Sequence, residues 1–443
     1  MDYCIQDFGA KPENKNNAIY IQKAINMASQ EQGRVIIPKG IYKTGTIILK
    51  DNITLYLEEG AILKASDDIS DFDITKKDNH TRLEVPSFIN CDYDGKPTLY
   101  FIYGENLHNI TISGSGTIDG NESIFYGYQD EYFIDGAFYP RMPLLFFENI
   151  HHLEIKEVTL ANSAFWTTHL VGCEEVHIHH MRIRNNLRLA NCDGIDPDHC
   201  HHVHIHDCDI ITGDDAIVFK NTMAYQKYGD CYDINVHDCN LQSTSGAIKF
   251  GSESFNDFYD IKVENITITD TNRGITLQLR DKGNIHDCHF SNINISTQVG
   301  PKPYFWGYGE PIALSAVNRN DDIPVGRIYH LQFKDITMDS ENGLFLYGEE
   351  RNRIEDISFE KLSLHLHKKT KWDIDQHDLR PYDKKPFLKG KVNLLYLRNA
   401  SHIHFKNFTY SLDDSIKPYY DTAFDIQDAT DINIKAKIYT KRK

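Results

Sequence analysis

The chain has 443 residues, 40% of them hydrophobic and 12% aromatic, and a formal net charge of −17. Such a composition excludes a disordered chain, and the negative charge argues against nucleic acid or an anionic membrane as a partner. The length exceeds what one globular core usually fills, a limit that a solenoid escapes because each coil contacts only its neighbours.

The first residues, MDYCIQDFGAKPENKNN, show no basic region followed by an apolar stretch, so the expectation is a cytoplasmic protein without a signal peptide. No segment approaches the ~20 apolar residues of a membrane span. Residues 17–30 (NAIYIQKAINMASQ) are predicted as a capping helix, with Ala18, Ile21, Ile25 and Ala28 on one face and Gly33 as its stop. The following stretch, RVIIPKGIYKTGTIILKDNITLYLEEGAILKAS, alternates short β-rich runs with Gly, Pro and Asn-Asp punctuation.

From about residue 100 the chain repeats itself, in units such as HHLEIKEVTLANS, EEVHIHHMRIRNN, HHVHIHDCDIITG, YDINVHDCNLQST and YDIKVENITITDT. Anchors at Leu153, Val176, Val203, Ile234, Ile261 and Ile285 give steps of 23, 27, 31, 27 and 24 residues. Each unit reads as strand, polar turn, strand. One unit cannot bury its apolar face alone, whereas stacked units form a continuous core. The predicted fold is all-β, a single-stranded parallel β-helix forming one domain over residues 1–443.

The nine cysteines are Cys4, Cys91, Cys173, Cys192, Cys200, Cys208, Cys231, Cys239 and Cys288, with no C-x-x-C pair. They read as reduced, small buried hydrophobes. Asp207-Cys208, Asp238-Cys239 and Asp287-Cys288 are expected at one stacked turn position, with Asn265 replacing the cysteine in the coil between. Cys173 and Cys200 mark another. Insertions at 67–100, 121–142, 221–232, 297–327 and 364–392 are expected to wall a groove. They carry Tyr126, Tyr128, Tyr132, Phe133, Tyr139, Tyr304, Phe305, Trp306, Tyr308 and Trp372.

Two strand ends are dense in acid: NCDGIDPD (191–198) and GDDAIVFK (213–220). If they occupy consecutive coils, stacked at ~4.8 Å, Asp193 lies one rung from Asp214 and Asp215. Adjacent strand residues point to opposite faces, so Asp214 and Asp215 need a bend to converge, which Gly213 permits. Close carboxylates cannot all hold their charge, the division of labour that glycoside hydrolysis requires. The bland alternative is turn capping or calcium binding.

These segments resemble glycoside hydrolase family 28, the polygalacturonase family, across nearly the whole chain. The resemblance runs through DFGAKPENKNNAIYIQKAI…GRVIIPKGIY, ISGSGTIDG (112–120), NSAFWTTHLVGCEEVHI (162–178), NCDGIDPDHCHHVHI and GDDAIVFKN. It implies a right-handed β-helix, with Asp214 as general acid, Asp193 and Asp215 directing the attacking water, and inversion at the anomeric carbon. It also places Trp166, His169 and Asn191 near the cleft. With Ser245 and Gln278 at the positions where the chain departs from the family, Lys249 and Arg280 close by in sequence and Trp306 in an insertion, these make up the expected substrate-binding set.

Two departures stand out. Where the family has a G-H-G histidine, this chain reads STSGAIKFGSES, with Ser245 in its place beside Gly246. Where the family has R-I-K, it reads RGITLQLRDKG, with Thr276, Leu277 and Gln278. The forked Arg and the Lys that would pair with a galacturonate carboxylate are thus absent there. Lys249, Arg273 and Arg280 are the candidate replacements. The implied substrate is a pectic oligo- or polysaccharide; exo-action is expected because a cytoplasmic enzyme meets imported oligosaccharides and the insertions at 121–142 and 297–327 would close one end of the groove. A rhamnogalacturonan or other decorated pectin is the alternative. Glu310 and Arg319 are expected at the cleft rim.

Histidines crowd residues 177–206: His177, His179, His180, His199, His201, His202, His204 and His206. Paired on stacked strands they could bind zinc, but an exposed strand face tolerant of histidine is the reading adopted. No metal or cofactor is therefore expected, and the sequence sets no oligomeric state. A β-helix uronide lyase and a non-catalytic glycan-binding or tail-fibre solenoid are the rival classes. The acid trio disfavours the first, and the lack of coiled-coil ends disfavours the second.

Overall fold

The computed structural model describes residues 1–72, 99–134, 141–302, 304–351 and 353–438. Parts of the first two insertions, with Cys91 and Tyr139, lie outside the described residues. The chain divides into two compact units, Met1–Asp214 and Asp215–Lys443, each described by itself. No described helix is long and apolar enough to cross a membrane.

The first unit opens with the helix Ala18–Gln30, which buries Ile21, Ala24, Ile25 and Ala28, while Ala18 is only half-buried. Gln22 donates to the Ile48 carbonyl at 2.9 Å and accepts the Ile48 amide at 3.1 Å, so its side chain pairs with the strand edge as another strand would. Gly33 is not the residue that turns the helix off. Gln32 takes the left-handed conformation (φ 52°), and the Gly33 amide then bonds back to the Ala28 carbonyl at 2.8 Å. Gly33 is needed because a Cβ there would lie 2.7 Å from the Tyr3 ring.

Behind the helix, short parallel strands stack in register. Ile53, Ile110, Leu153, Val176 and Val203 form one buried column. The residues just before them, Asn52, Asn109, His152, Glu175 and His202, all have φ between 55° and 62°. Asn and Asp tolerate this left-handed turn best, which explains the polar punctuation of each repeat. Cys173 and Cys200 share a column, as expected, because Glu174 pairs with His201.

The second unit repeats the pattern with a longer column: Ile234, Ile261, Cys288, Leu331, Ile357 and Ile403. This corrects the sequence register. Ile261 lies over Cys288, not Ile285, so the step is 27 residues where the sequence reading had 24. Cys288 therefore does not share a position with Cys239. Cys239 falls in the column of Ile266, and Asn265 stands in the place of Asp238, not of a cysteine. Both apolar types fill the same interior site, so the Asp-Cys dipeptide misled the alignment. The eight described cysteines have free thiols, and all but Cys4 are buried. Inside this unit Phe290, Phe333, Phe359 and Phe405 stack face to face, with centroids 4.6, 4.9 and 4.3 Å apart.

Candidate active site

In the first unit the two acidic segments meet. The Asn191 amide donates to the Asp214 carboxylate at 2.8 Å, and the Gly213 amide donates to the Cys192 sulfur at 3.3 Å. Asn191 sits in the left-handed region (φ 59°), which turns its amide out of the ladder toward Asp214. Its side chain is held in turn by the buried Arg141 guanidinium, which also donates to the carbonyls of Ala164 (3.1 Å) and Ala190 (2.6 Å). Asn185 ties the same segment down by donating to the Cys192 carbonyl at 3.0 Å. Asp193 is buried and Asp214 half-buried.

The role of Gly213 differs from the expected one. Its φ is not left-handed; a Cβ there would lie 2.2 Å from the Asn186 carbonyl oxygen and 2.4 Å from that of Leu189. The close approach of three backbone segments, not torsional freedom, demands glycine.

Trp166 and His169 are both fully buried. The Trp166 ring stacks on Phe165 and meets His169 edge-on at 4.8 Å, while His169 Nε2 lies 3.2 Å from Asp198. Trp166 presents no open face for a sugar. Glu122, which sequence reasoning passed over, adds a buried carboxyl near Cys192. Burial raises its pKa, and it accepts from Tyr126 and from Asn186 at 3.3 Å.

In the second unit Asp215 is buried and doubly held. Its Oδ1 accepts the Gly246 amide at 2.9 Å, and its Oδ2 pairs with Lys249 Nζ at 2.6 Å. Any side chain at 246 would press on Asp215, since a Cβ there stands 3.1 Å from Oδ1. Lys249 pairs in register with Thr276, on the face opposite the buried Ile248 and Phe250. Its ammonium lies 5.9 Å from the Trp306 ring, and Arg380 flanks the same ring at 5.2 Å. Trp306 is half-exposed, as a sugar platform needs to be. Ser245 is half-buried, with its amide on the Ser243 hydroxyl at 2.8 Å. Gln278 is buried, and its Oε1 has no hydrogen-bond partner among the described residues.

Arg280 is a correction. It is fully buried and donates to the carbonyls of Leu279, Ser315, Leu379 and Arg380 at 2.9, 3.1, 2.8 and 3.4 Å. Burial, reinforced by Arg319 and Arg273, pulls its pKa down to about 9. A guanidinium spent on four carbonyls is a strut for the 364–392 insertion, not a substrate clamp. Glu310 is likewise buried, not at a rim, and pairs with Arg273 at 3.1 Å, while Arg319 pairs with Asp281 at 3.0 Å. Arg273 also donates to the Asp378 carbonyl at 2.8 Å.

Arg141, Lys302, Asp378 and Arg380 were missed because they sit in insertions with no repeat to place them. Arg380 forms a two-point pair with Asp378, at 3.0 and 2.7 Å. Lys302 reaches the Gly307 carbonyl beside Trp306 and lies 3.5 Å above the Tyr308 ring. Burial lowers its pKa to about 8.

The first unit thus carries the N-x-D acid and Asp214 on a parallel β-solenoid, and the second carries Asp215 with Lys249, Trp306 and Arg380. The family profile of the glycosyl hydrolases family 28 matches residues 62–377, and the chain belongs to that family. A probable polygalacturonase of Vitis vinifera is 31% identical over 232 residues, covering 50% of this chain and 44% of the relative. The chain spans about half or less of the length of the curated relatives it matches. Among solved structures, an exopolygalacturonase of Yersinia enterocolitica has a TM-score of 0.73 at 18% identity, covering 99% of this chain and 79% of that one. One from Thermotoga maritima has a TM-score of 0.69 at 19% identity, covering 91% of each. They share with this chain the right-handed parallel β-helix.

Gly213→Ala is expected to lower the thermal midpoint by several degrees, because backbone carbonyls cannot retreat as a flexible side chain would. Gly300→Ala, whose Cβ would meet its nearest neighbour at an ordinary 3.5 Å, is the control and should be close to neutral in the same melting experiment.

Proposed function

We propose that the chain is an exo-acting, inverting hydrolase of galacturonide linkages. Asp214 acts as the general acid, and Asp193 and Asp215 direct and deprotonate the water. Asp214 donates its proton to the glycosidic oxygen as the bond to the anomeric carbon breaks. Water attacks the opposite face, and its proton passes to the basic carboxylates. Of the three, Asp214 is the half-exposed one, suited to meeting a leaving group.

The observation that carries the substrate assignment is the Asp215–Lys249 pair at 2.6 Å with Trp306 beside it. Lys249 supplies, from the preceding coil, a cation that the Thr276-Leu277-Gln278 stretch lacks. Trp306 offers an apolar face for the sugar ring, and Lys302 adds a second charge near Gly307. The exopolygalacturonases with the same fold support exo-action. A decorated-pectin substrate, with a neutral sugar next to the scissile bond, is favoured by the neutral Thr276 and Gln278.

Digestion of polygalacturonate, rhamnogalacturonan and a defined galacturonide oligomer separates these readings. Monogalacturonate as the first product is expected, and a spread of mid-length fragments would overturn exo-action. Asp214→Asn should cut kcat by about 10²- to 10⁴-fold with the fold intact. Lys249→Met should raise KM for galacturonides by roughly tenfold or more, the scale of a lost charged hydrogen bond. Arg280→Met should instead lower the melting temperature.

Lys302 yields a pH prediction. It is charged below about 8 and neutral above, so KM for an anionic oligomer should rise as pH passes that value. A Lys302→Met variant should start with the higher KM and show no such rise; a rise equal to the parent's would remove Lys302 from the site.

A further inference from the structure

We propose that His177, His204 and His206, on the outer face of the first unit, form a binding site for a divalent transition metal, zinc being the best-matched ion. The strands Leu145–Lys156, Glu174–His179 and His201–His206 pair in register, so His177 lies over His204 and His179 over His206. Val176, Ile178, Val203 and Ile205 take the buried face, which turns the histidines outward. The three ligating nitrogens lie within 4.8 Å of one another. The His177 and His204 rings stack at 5.1 Å, and His177 Nε2 stands 2.7 Å from His206 Nε2.

A second feature makes this more than a crowd of imidazoles. His206 Nδ1 lies 2.7 Å from the Asp207 carboxylate. That carboxylate only accepts, so Nδ1 carries the proton, and Nε2, with its lone pair in the neutral tautomer, faces His177. A carboxylate that accepts the far N–H of a zinc-binding histidine fixes its tautomer and makes the ligating nitrogen more basic. Without an ion, His177 must spend its own Nε2 proton on that lone pair. An ion would displace this proton and open the two nitrogens to about 3.3 Å, the separation set by Zn–N bonds of about 2.0–2.1 Å at a tetrahedral centre.

Three imidazole nitrogens with no carboxylate among them suit zinc, copper or nickel, and not calcium or magnesium. Glu154 holds Lys156 through Oε2 at 2.8 Å and faces His179 Nε2 through Oε1 at 3.5 Å, so the fourth position falls to water or to this carboxylate. A surface groove of about 440 Å³, lined by Thr54, Thr111, Glu154 and His177 among others, opens the site to solvent. None of the proposed catalytic residues takes part, so the ion acts as a clip across two coils.

The test is titration of metal-free protein with zinc sulfate by calorimetry, with cobalt as a spectroscopic probe. One equivalent of zinc, tetrahedral cobalt absorption and a melting temperature raised by a few degrees are expected, with polygalacturonate hydrolysis unchanged by chelator. The double variant His177→Gln/His206→Gln should weaken binding at least tenfold and lose the melting shift, while His202→Gln retains both. If the double variant fails to fold, His204→Gln alone decides. Absence of saturable binding, or binding equal to the parent's in these variants, overturns the proposal.

Discussion

In-register stacking of parallel coils is the constraint on which everything else rests. Each residue's surroundings are set by the residue one coil before it and one coil after, so the chain is read in columns more than in neighbours. The columns survive because one residue per turn accepts the left-handed conformation. Asn52, Asn109, His152, Glu175 and His202 do this in the first unit, and Asp233, Asp260, Asp287, His330, Asp356 and His402 in the second. Some turns are further stitched by stacked amides, with Asn109 donating to Asn52 and Asn292 to Asn265 at 2.7 Å. Stacking brings Asn191 against Asp214, segments more than twenty residues apart in sequence, and packs backbone so tightly around Gly213 that no side chain fits.

The second theme is how a strongly acidic chain holds its buried cations. Arg273, Lys249 and Arg380 each face a buried carboxylate, respectively Glu310, Asp215 and Asp378. Buried ion pairs of this kind contribute little net stability, but removing one partner strands a charge, so they fix geometry. Arg280 takes a different course, giving its donors to backbone carbonyls and thereby fastening an insertion to the coil. That contrast separates Lys249, whose partner is a proposed catalytic carboxylate, from an arginine two coils' worth of carbonyls have consumed.

Much of this was legible in the sequence. Alternating apolar residues and polar turns gave the solenoid, spacings of three and four gave the helix, and the acidic segments gave the catalytic candidates. The register failed at Asp287-Cys288 because cysteine and isoleucine fill the same interior column, so matching dipeptides outweighed the true step of 27 residues. Arg280 was misjudged because period-two alternation says which face a residue is on, not what covers that face. The insertion residues Lys302, Asp378 and Arg380 carry no periodicity, and only three-dimensional contacts place them. The histidine pairs were legible as pairs, whereas the tautomer imposed by Asp207 was not.

The central claim is that Asp193, Asp214 and Asp215 hydrolyse a uronide linkage by single displacement. Proton nuclear magnetic resonance of the first product released from a galacturonide trimer tests it most directly. An anomeric configuration opposite to that of the bond cleaved is the predicted result. Retention of configuration, or an unsaturated uronide formed by elimination, would contradict the mechanism.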